Sequence, residues 1–365
     1  MAKSVVRRAV KIFFISLNAV VMVLFLMACA GSWLGPGWFS WVGFTVLSMP
    51  YLILLLILSI IFWLLAKPRF VLLPLITLLV GWKQISTLFA FHARAGFSKA
   101  PLSLRIADWN VQGFNGLSKN KETKKHIRES IAKTLVQLRP DIICLQEFNH
   151  SEQNNLGDNI GLLNQQYPYH FFSKDYIRKN GYRSGCIIFS KYPIIDSGKV
   201  KYPLAESLIY ADVVRGPDTL RIFTTHLQSY QFKKEDYDDM EKIKEDESLV
   251  ASRNIFMKMN TAFKRRGIQA QIVRSALNES PYPSIICGDF NDVPNSYTYW
   301  HIRGERKDAF LEKDFGLGRS FISLSPTLRI DYIMPDPSFD VLQFDMVDED
   351  LSDHIMLVTD LRLKK

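Results

Sequence analysis

Asp289 and Asn291 are the side chains whose type and spacing first suggest chemistry. They close the stretch Ile285-Ile286-Cys287-Gly288-Asp289-Phe290-Asn291-Asp292. Three apolar residues run into a glycine, then a carboxylate, an aromatic, an amide and a second acid. This reads as a buried strand that stops at a sheet edge. Gly288 lets the backbone approach something closely, and Asp289 and Asn291 project to one side, two apart. A carboxylate and an amide offered together suit a metal-bound phosphate. The same residues also make an ordinary Asx turn, so the rest of the chain has to decide.

Other polar residues fall in the same kind of place. Asn110 follows the apolar segment Leu104–Ala107, and Glu147 follows Asp141–Leu145. His226 ends Thr219–Thr225, and Asp353-His354 precede Ile355–Leu361. Taken singly, Asn110 is a turn residue, Glu147 a helix cap and His226 a satisfied structural histidine. Together they deliver metal ligands, phosphate donors and acid/base groups to one rim of a sheet, where sites collect in α/β folds.

The elements that must position them alternate. Tyr169–Ser173, Cys186–Ser190, Ser284–Cys287, Leu328–Met334 and Phe339–Met346 read as further strands. Ser207–Val214 and Thr219–Thr225 read as a hairpin around Gly216-Pro217. Lys121–Leu138 is an amphipathic helix with Ile127, Ile131, Leu135 and Leu138 on one face, stopped by Pro140. Leu249–Leu277 has helical periodicity, and the charged run Lys233–Glu247 reads as a solvated helix. The pattern gives an α/β class. Cys144, Cys186 and Cys287 lie inside strand-like segments and Cys29 in an apolar run. None has zinc-ligand spacing, so all four read as small buried hydrophobes.

The chain of 365 residues carries a formal net charge of +9. The excess sits in residues 1–99, which hold nine of the 45 basic residues and none of the 36 acidic ones. The remainder has 36 of each, so its overall charge gives no signal for nucleic-acid binding. That first part is apolar. Val10–Ala30 and Trp41–Leu65 each have the length of a bilayer span, and Phe70–Phe91 is a weaker third one containing Lys83. Leu26-Met27-Ala28-Cys29 also resembles a bacterial lipoprotein cleavage site and Ala28-Cys29-Ala30 a signal-peptidase site, but two more apolar runs follow, which favours an uncleaved helix. Lys3, Arg7, Arg8, Lys11, Lys67 and Arg69 flank one side, while the first loop is uncharged. The positive-inside rule then puts the N-terminus and the second loop in the cytoplasm and, with three spans, everything after about residue 92 outside it; if the third segment does not cross, the domain is cytoplasmic instead. The expected division is a membrane region at 1–92, a linker at 93–101 and a catalytic domain at 102–365.

Six segments, taken in order, resemble the endonuclease/exonuclease/phosphatase superfamily of DNase I-like enzymes. They are Leu104–Val111 with Asn110, Asp141–Glu147 with Glu147, Thr225-His226-Leu227, Gly288-Asp289-Phe290-Asn291, Arg329–Ile333 with Asp331, and Ser352-Asp353-His354. The resemblance spans residues 102–365. It implies a four-layered α/β sandwich, two mixed β-sheets face to face with outer helices, preceded by the all-α transmembrane region. It further implies a Mg²⁺ ion, replaceable by Mn²⁺, held by Glu147, Asn110 and Asp353. Asn291 and His226 would donate to phosphoryl oxygens, and Asp289 would position or deprotonate the attacking water. His354, oriented by Asp331, would be the acid/base or a cationic clamp. The expected activity is phosphodiester hydrolysis on nucleic acid. The alternative is a lipid head group or lipid-linked phosphate. The other expected partner is the bilayer itself, and no protein partner is implied. Thr225-His226 stands where abasic-site endonucleases carry a tyrosine motif, which argues against abasic-site repair. Gly181–Gly185 reads as a turn with a surface arginine, Arg183.

Overall fold

Strands apolar on both faces must be covered on both, and the architecture follows from that. The computed structural model describes all residues except 1, 36, 38, 39, 94–97, 115–119, 154–156, 231–248, 324 and 365. One mixed sheet runs β13 (Phe339–Val347), β14 (Met356–Leu363), β2 (Leu104–Asn110), β3 (Ile142–Ser151), β6 (Tyr182–Ser190) and β4 (Tyr169–Phe172). The short β5 (Tyr176–Ile177) pairs with β6. A second mixed sheet runs β12 (Asp331–Pro335), β10 (Ser284–Asp289), β9 (Asp218–His226), β8 (Ser207–Arg215) and β7 (Ile194–Lys201). The pairs β2–β3 and β9–β10 are parallel.

Alternation sorts the side chains between layers. Ile106, Ile142, Cys144 and Ile188 turn inward to meet Ile209, Ile222, Ile285 and Cys287 of the second sheet. Their neighbours Ala107, Ile143, Leu145, Ile187 and Phe189 turn outward, where Ile127, Ile131 and Leu135 of helix α6 (Lys121–Gln137) cover them. Those three are spaced by four, and Asn120 caps the helix by accepting from Glu122 N. Cys144, Cys186 and Cys287 are buried free thiols of this core.

Some boundaries differ from expectation. Strand pairing begins at Asp331 rather than Leu328, because Ile330 O accepts from Phe290 N and the Ile330 and Asp331 amides both turn to Ser320 Oγ. Strand β7 has no sequence signature, because it is an edge strand with mostly exposed or half-buried residues. The expected helix at Lys233–Glu247 lies outside the described residues.

The contacts divide the chain into two units that do not follow chain order. The unit that holds both large sheets takes 89–230, 268–292 and most of 301–364, including α9 (Ala309–Lys313) and the small pair β1 (Ala90–Phe91) and β11 (Phe315–Gly316). The other unit takes the residues up to 88, the first half of α7 (Leu249–Asn278) as far as Gly267, and Val293–Trp300, where α8 (Tyr297–Arg303) begins.

In that second unit α1 (Ala2–Ala30) and α3 (Met49–Ala66) are long and apolar enough to cross a membrane. They bury Phe25, Ala28, Cys29, Met49, Leu52 and Leu56 and expose Phe13, Leu17, Leu54 and Leu58. The expected span Trp41–Leu65 is instead α2 (Val42–Leu47) plus α3, with Pro50 seated in the first turn of α3. The expected span Phe70–Phe91 is shorter still. It forms α4 (Leu72–Val80) and α5 (Trp82–Ile85), interrupted at Gly81, and its last two residues are β1. A Cβ on Gly81 would lie 2.4 Å from the Phe25 ring. Lys83 places its ammonium 5.0 Å over the Trp300 ring, which answers its charge in an apolar segment. Lys11 lies 5.6 Å over Phe70, and Gln84 Nε2 donates to Ser32 Oγ at 3.2 Å. The third apolar segment therefore runs from the Lys11 end of α1 to its Ser32 end.

Gly288 is the tightest point of the second sheet. Its φ is 144°, and a Cβ there would sit 2.1 Å from Thr225 O of β9. Both space and backbone conformation exclude a larger residue. Gly288→Ala is expected to cost about 2–4 kcal/mol, read as a lowered thermal unfolding midpoint of the detergent-solubilised protein.

Candidate active site

Strand register brings the acid/base groups together. Asp289 ends β10. Antiparallel pairing sets Asp331 of β12 directly beside it, and parallel pairing sets His226 of β9 on its other flank. On the facing sheet Asn110 ends β2 opposite Gln146 of β3. Glu147 follows at a register shift with a φ of 50°, and Asn291 has a φ of 52°. Non-glycine residues in the left-handed region, Gln112 and Glu206 beside these two, are a local strain of about 1–3 kcal/mol each, held by the surrounding structure. Asp353 and His354 lead into β14. Ser352 Oγ donates to Asn110 O at 2.8 Å, and Trp109 Nε1 donates to His354 O at 2.8 Å. These bonds tie the terminal segment to β2.

The side chains converge on Asp289. Its Oδ2 lies 3.1 Å from Asn110 Nδ2, 3.5 Å from His226 Nε2 and 3.7 Å from His354 Nε2. The same Asn110 amide also donates to Glu147 Oε1 at 3.1 Å. Asp289 Oδ1 accepts from Asn291 N at 2.8 Å. Asp331 grips His354 Nδ1 with both oxygens, at 2.9 and 3.1 Å, which aims Nε2 at the centre. Gln112 Nε2 donates to Asp353 Oδ2 at 3.2 Å.

Burial and crowding set the protonation states. Burial, reinforced by Asp331, raises the Asp289 carboxyl to about 6 against the pull of His354 and His226. Burial alone would lower His354, but Asp331 and Asp289 outweigh it and raise the imidazole to about 10. His226 is likewise lowered by burial and then carried well above its usual range, mainly by Glu206. At neutral pH both histidines are cations and Asp289 is an anion. The arrangement can therefore donate protons or hydrogen bonds from two imidazoles while a carboxylate between them accepts one.

Comparison with known families decides what this constellation belongs to. Residues 109–354 match the model described as "Endonuclease/Exonuclease/phosphatase family". The chain belongs to that family. Among solved structures it is similar to the endonuclease/exonuclease/phosphatase from Beutenbergia cavernae at 21% identity, covering 72% of each chain with a TM-score of 0.50. It is also similar to the human Nocturnin catalytic domain with bound sulfate at 17% identity, covering 73% of this chain and 97% of that one, with a TM-score of 0.50. At such identities these likenesses concern the fold. Residues 10–88 match a separate domain of unknown function (DUF8431). No curated protein matches.

The family is usually dependent on a divalent metal, and the donors here suit one. Among the described residues, Asp289, Asp331 and His354 offer ligand atoms within 4.8 Å of one another, but that trio is engaged in the His354–Asp331 pair. Of the expected ligands, Glu147 and Asp353 supply carboxylate oxygens, while Asn110 turns its amide nitrogen to the centre and its Oδ1 accepts from Gln112 N at 3.1 Å. The Asp353 carboxyl is raised by burial and further by Glu147 and Asp331, against His354. A cation among these oxygens would relieve that crowding, and hard oxygen donors fit Mg²⁺.

All eight expected site residues thus lie at this rim, but both amides, Asn110 and Asn291, are already engaged. Asn291 Nδ2 already donates to Leu227 O at 3.0 Å, so one of its two amide hydrogens is spent on the scaffold. Arg183 is not on the rim groups at all. It pairs with Glu152 Oε1 at 2.8 Å and is partly exposed.

Sequence reasoning missed Glu206, whose Oε1 lies 3.1 Å from His226 Nδ1. It sits just before β8 with a φ of 68°, and no spacing or motif marks it. It also missed Gln146, fully buried, which donates to Asp108 Oδ1 at 2.7 Å and Thr224 Oγ1 at 2.9 Å between the sheets. Glu206→Gln removes the main source of the raised His226 protonation. The alkaline limb of the pH–rate profile should move to lower pH, with about a 10–100-fold loss of activity, the scale for removing a residue that orients a functional histidine. An unmoved limb would deny Glu206 its role.

Proposed function

We propose that this chain is a membrane-anchored, Mg²⁺-dependent phosphoric ester hydrolase that cleaves a phosphodiester bond by water attack, in the manner of a nuclease. The observation that carries the reading is Asp289 Oδ2, an anion ringed by Asn110 Nδ2, His226 Nε2 and His354 Nε2 within 3.1–3.7 Å. A metal held by Glu147 and Asp353, and by Asn110 once its amide turned its oxygen to the ion, would draw charge from the phosphoryl oxygens and steady the leaving oxygen.

The protein groups divide the remaining work. Asp289, ionised at neutral pH, takes the proton of the attacking water. His354, held protonated by Asp331 and Asp289, takes the other role. It donates from Nε2 to the phosphoryl group or the leaving oxygen, while Asp331 keeps Nδ1 occupied. His226, kept cationic by Glu206, and the second amide hydrogen of Asn291 bond the oxygens as charge builds on them.

A second reading, hydrolysis of a lipid head group or lipid-linked phosphate, is favoured by two specific features. Two helices have membrane-spanning length, and the chain beyond residue 99 is charge-neutral. Tight nucleic-acid binding draws mainly on cationic contacts to phosphate, which a neutral domain lacks overall. We also place the catalytic unit outside the cytoplasm. Support comes from Arg7, Arg8, Lys11, Lys67 and Arg69 at one end of the helices and from a third apolar segment that returns to the Ser32 end.

A panel of plasmid DNA, RNA, sphingomyelin, glycerophospholipids and a chromogenic phosphodiester, assayed with Mg²⁺ and with EDTA, tests this. Cutting of nucleic acid abolished by EDTA supports the first reading, and lipid hydrolysis alone replaces it with the second. Activity indifferent to EDTA would remove the metal from either. The rate should fall as pH drops through about 6, where Asp289 takes up its proton. Asp289→Asn should lose about 10²–10⁴-fold in kcat.

A further inference from the structure

Helix α7 has a composition unlike the rest of the chain. Its 30 residues contain Arg253, Lys258, Lys264, Arg265, Arg266 and Arg274 and no acid. A long helix of one sign is selected by a partner of the other sign. Arg266 is buried, with its guanidinium 5.1 Å over the Phe263 ring, whereas Arg253 and Lys264 are exposed.

The first half of α7 packs on the turn that joins α1 to α3. Ser40 Oγ donates to Asn260 Oδ1 at 2.6 Å. The Phe44 ring of α2 stacks on Phe256 with centroids 4.5 Å apart and meets Phe263 edge-on at 5.3 Å. Gly43 gives Phe263 its room, since a Cβ there would lie 2.6 Å from the ring. Around that end of the helices Trp33, Trp41 and Trp82 are all largely exposed, the arrangement of an aromatic belt at a bilayer boundary. Beside these contacts α7 exposes Arg253, Met257 and Lys264, with part of the Phe256 ring. Apolar and cationic side chains together on such a face are the signature of a helix lying in a bilayer interface.

We infer that the first half of α7 is a lipid-surface element, which beds Met257 and Phe256 among acyl-chain ends and sets Arg253 and Lys264 against anionic phospholipid head groups. The inference rests on the membrane placement in the proposed function but not on the hydrolytic chemistry. It gives the unit of residues 1–88 a second kind of hold on the bilayer, one that reads lipid charge. The run from Lys233 to Glu247, directly before α7 in the sequence, carries eight acids against four lysines, so the test has to separate lipid binding from neutralisation within the chain.

The test uses the full chain with Met257→Cys labelled by an environment-sensitive fluorophore. The native cysteines are buried free thiols, and labelled wild-type protein is the control. The protein is reconstituted in nanodiscs of phosphatidylcholine alone or mixed with phosphatidylglycerol. The label should brighten, and become shielded from a water-soluble quencher, only when phosphatidylglycerol is present. Shielding should fade in about 1 M salt, where the screening length shrinks to about 3 Å, and in the Arg253→Glu/Lys264→Glu double variant. Equal quenching in both discs would overturn the inference in favour of internal neutralisation by the acidic run. Retention of the effect in the double variant would overturn it too, as would shielding by a single-stranded oligonucleotide in uncharged discs. The readout needs no turnover. An inactive protein that still shows lipid-dependent shielding refutes only the hydrolase reading, and an active one without it refutes only this.

Discussion

The site depends on mutual compensation among buried charges. Asp289, Asp331 and His354 are each at least nine-tenths buried, and so is His226. None could stay charged alone there, because the desolvation of an isolated ion in a protein interior amounts to several kcal/mol. They are tolerable as a set. Asp331 and Asp289 keep His354 cationic, Glu206 keeps His226 cationic, and the two cations hold Asp289 ionised at neutral pH although burial pushes its carboxyl to about 6. Removing one member therefore changes the charge state of the others, which makes single-residue roles at this rim inseparable from their neighbours.

The strands exist to hold that set in register. Asp289 meets Asp331 and His226 because three adjacent strands end level, and a one-residue slip of β10 would turn its side chain to the opposite face. Gly288 fixes the spacing on the β9 side. On the other sheet Gln146 joins Asp108 to Thr224 across the inter-sheet core, so a polar clasp lies just beneath the rim that Asn110 and Glu147 form.

What the sequence made legible follows from the same physics. The apolar runs that end in Asn110, Glu147, His226 and Asp289 are buried on both faces, so they announce themselves by composition, and the polar residue that stops each run marks the rim. Helix α6 was legible from the spacing of Ile127, Ile131 and Leu135. Strand β7 was not, because edge position removes the burial that writes a pattern. Glu206 was not, because it acts through a loop conformation with a φ of 68° and not through periodicity. The third apolar segment was misjudged in length, since hydropathy does not register the break at Gly81 or the strand pairing of Ala90 and Phe91.

The division of the chain is the least legible feature and bears on how the enzyme can be used. The family match runs over 109–354, yet Val293–Trp300 and the first half of α7 fall within that span and pack with the apolar helices. Asn295 Nδ2 donates to Val46 O at 3.1 Å, and Phe263 fills the space above Gly43. Cutting the chain after residue 92 would leave Phe263 and Asn295 without these partners, and each is buried. A fully buried phenylalanine is worth about 1.5–3 kcal/mol, and an orphaned buried amide costs about 1–3 kcal/mol. A soluble fragment would start with those losses against a total stability of about 5–15 kcal/mol. The helical region is thus part of what stabilises the segments on either side of the catalytic strand β10, and not merely a tether.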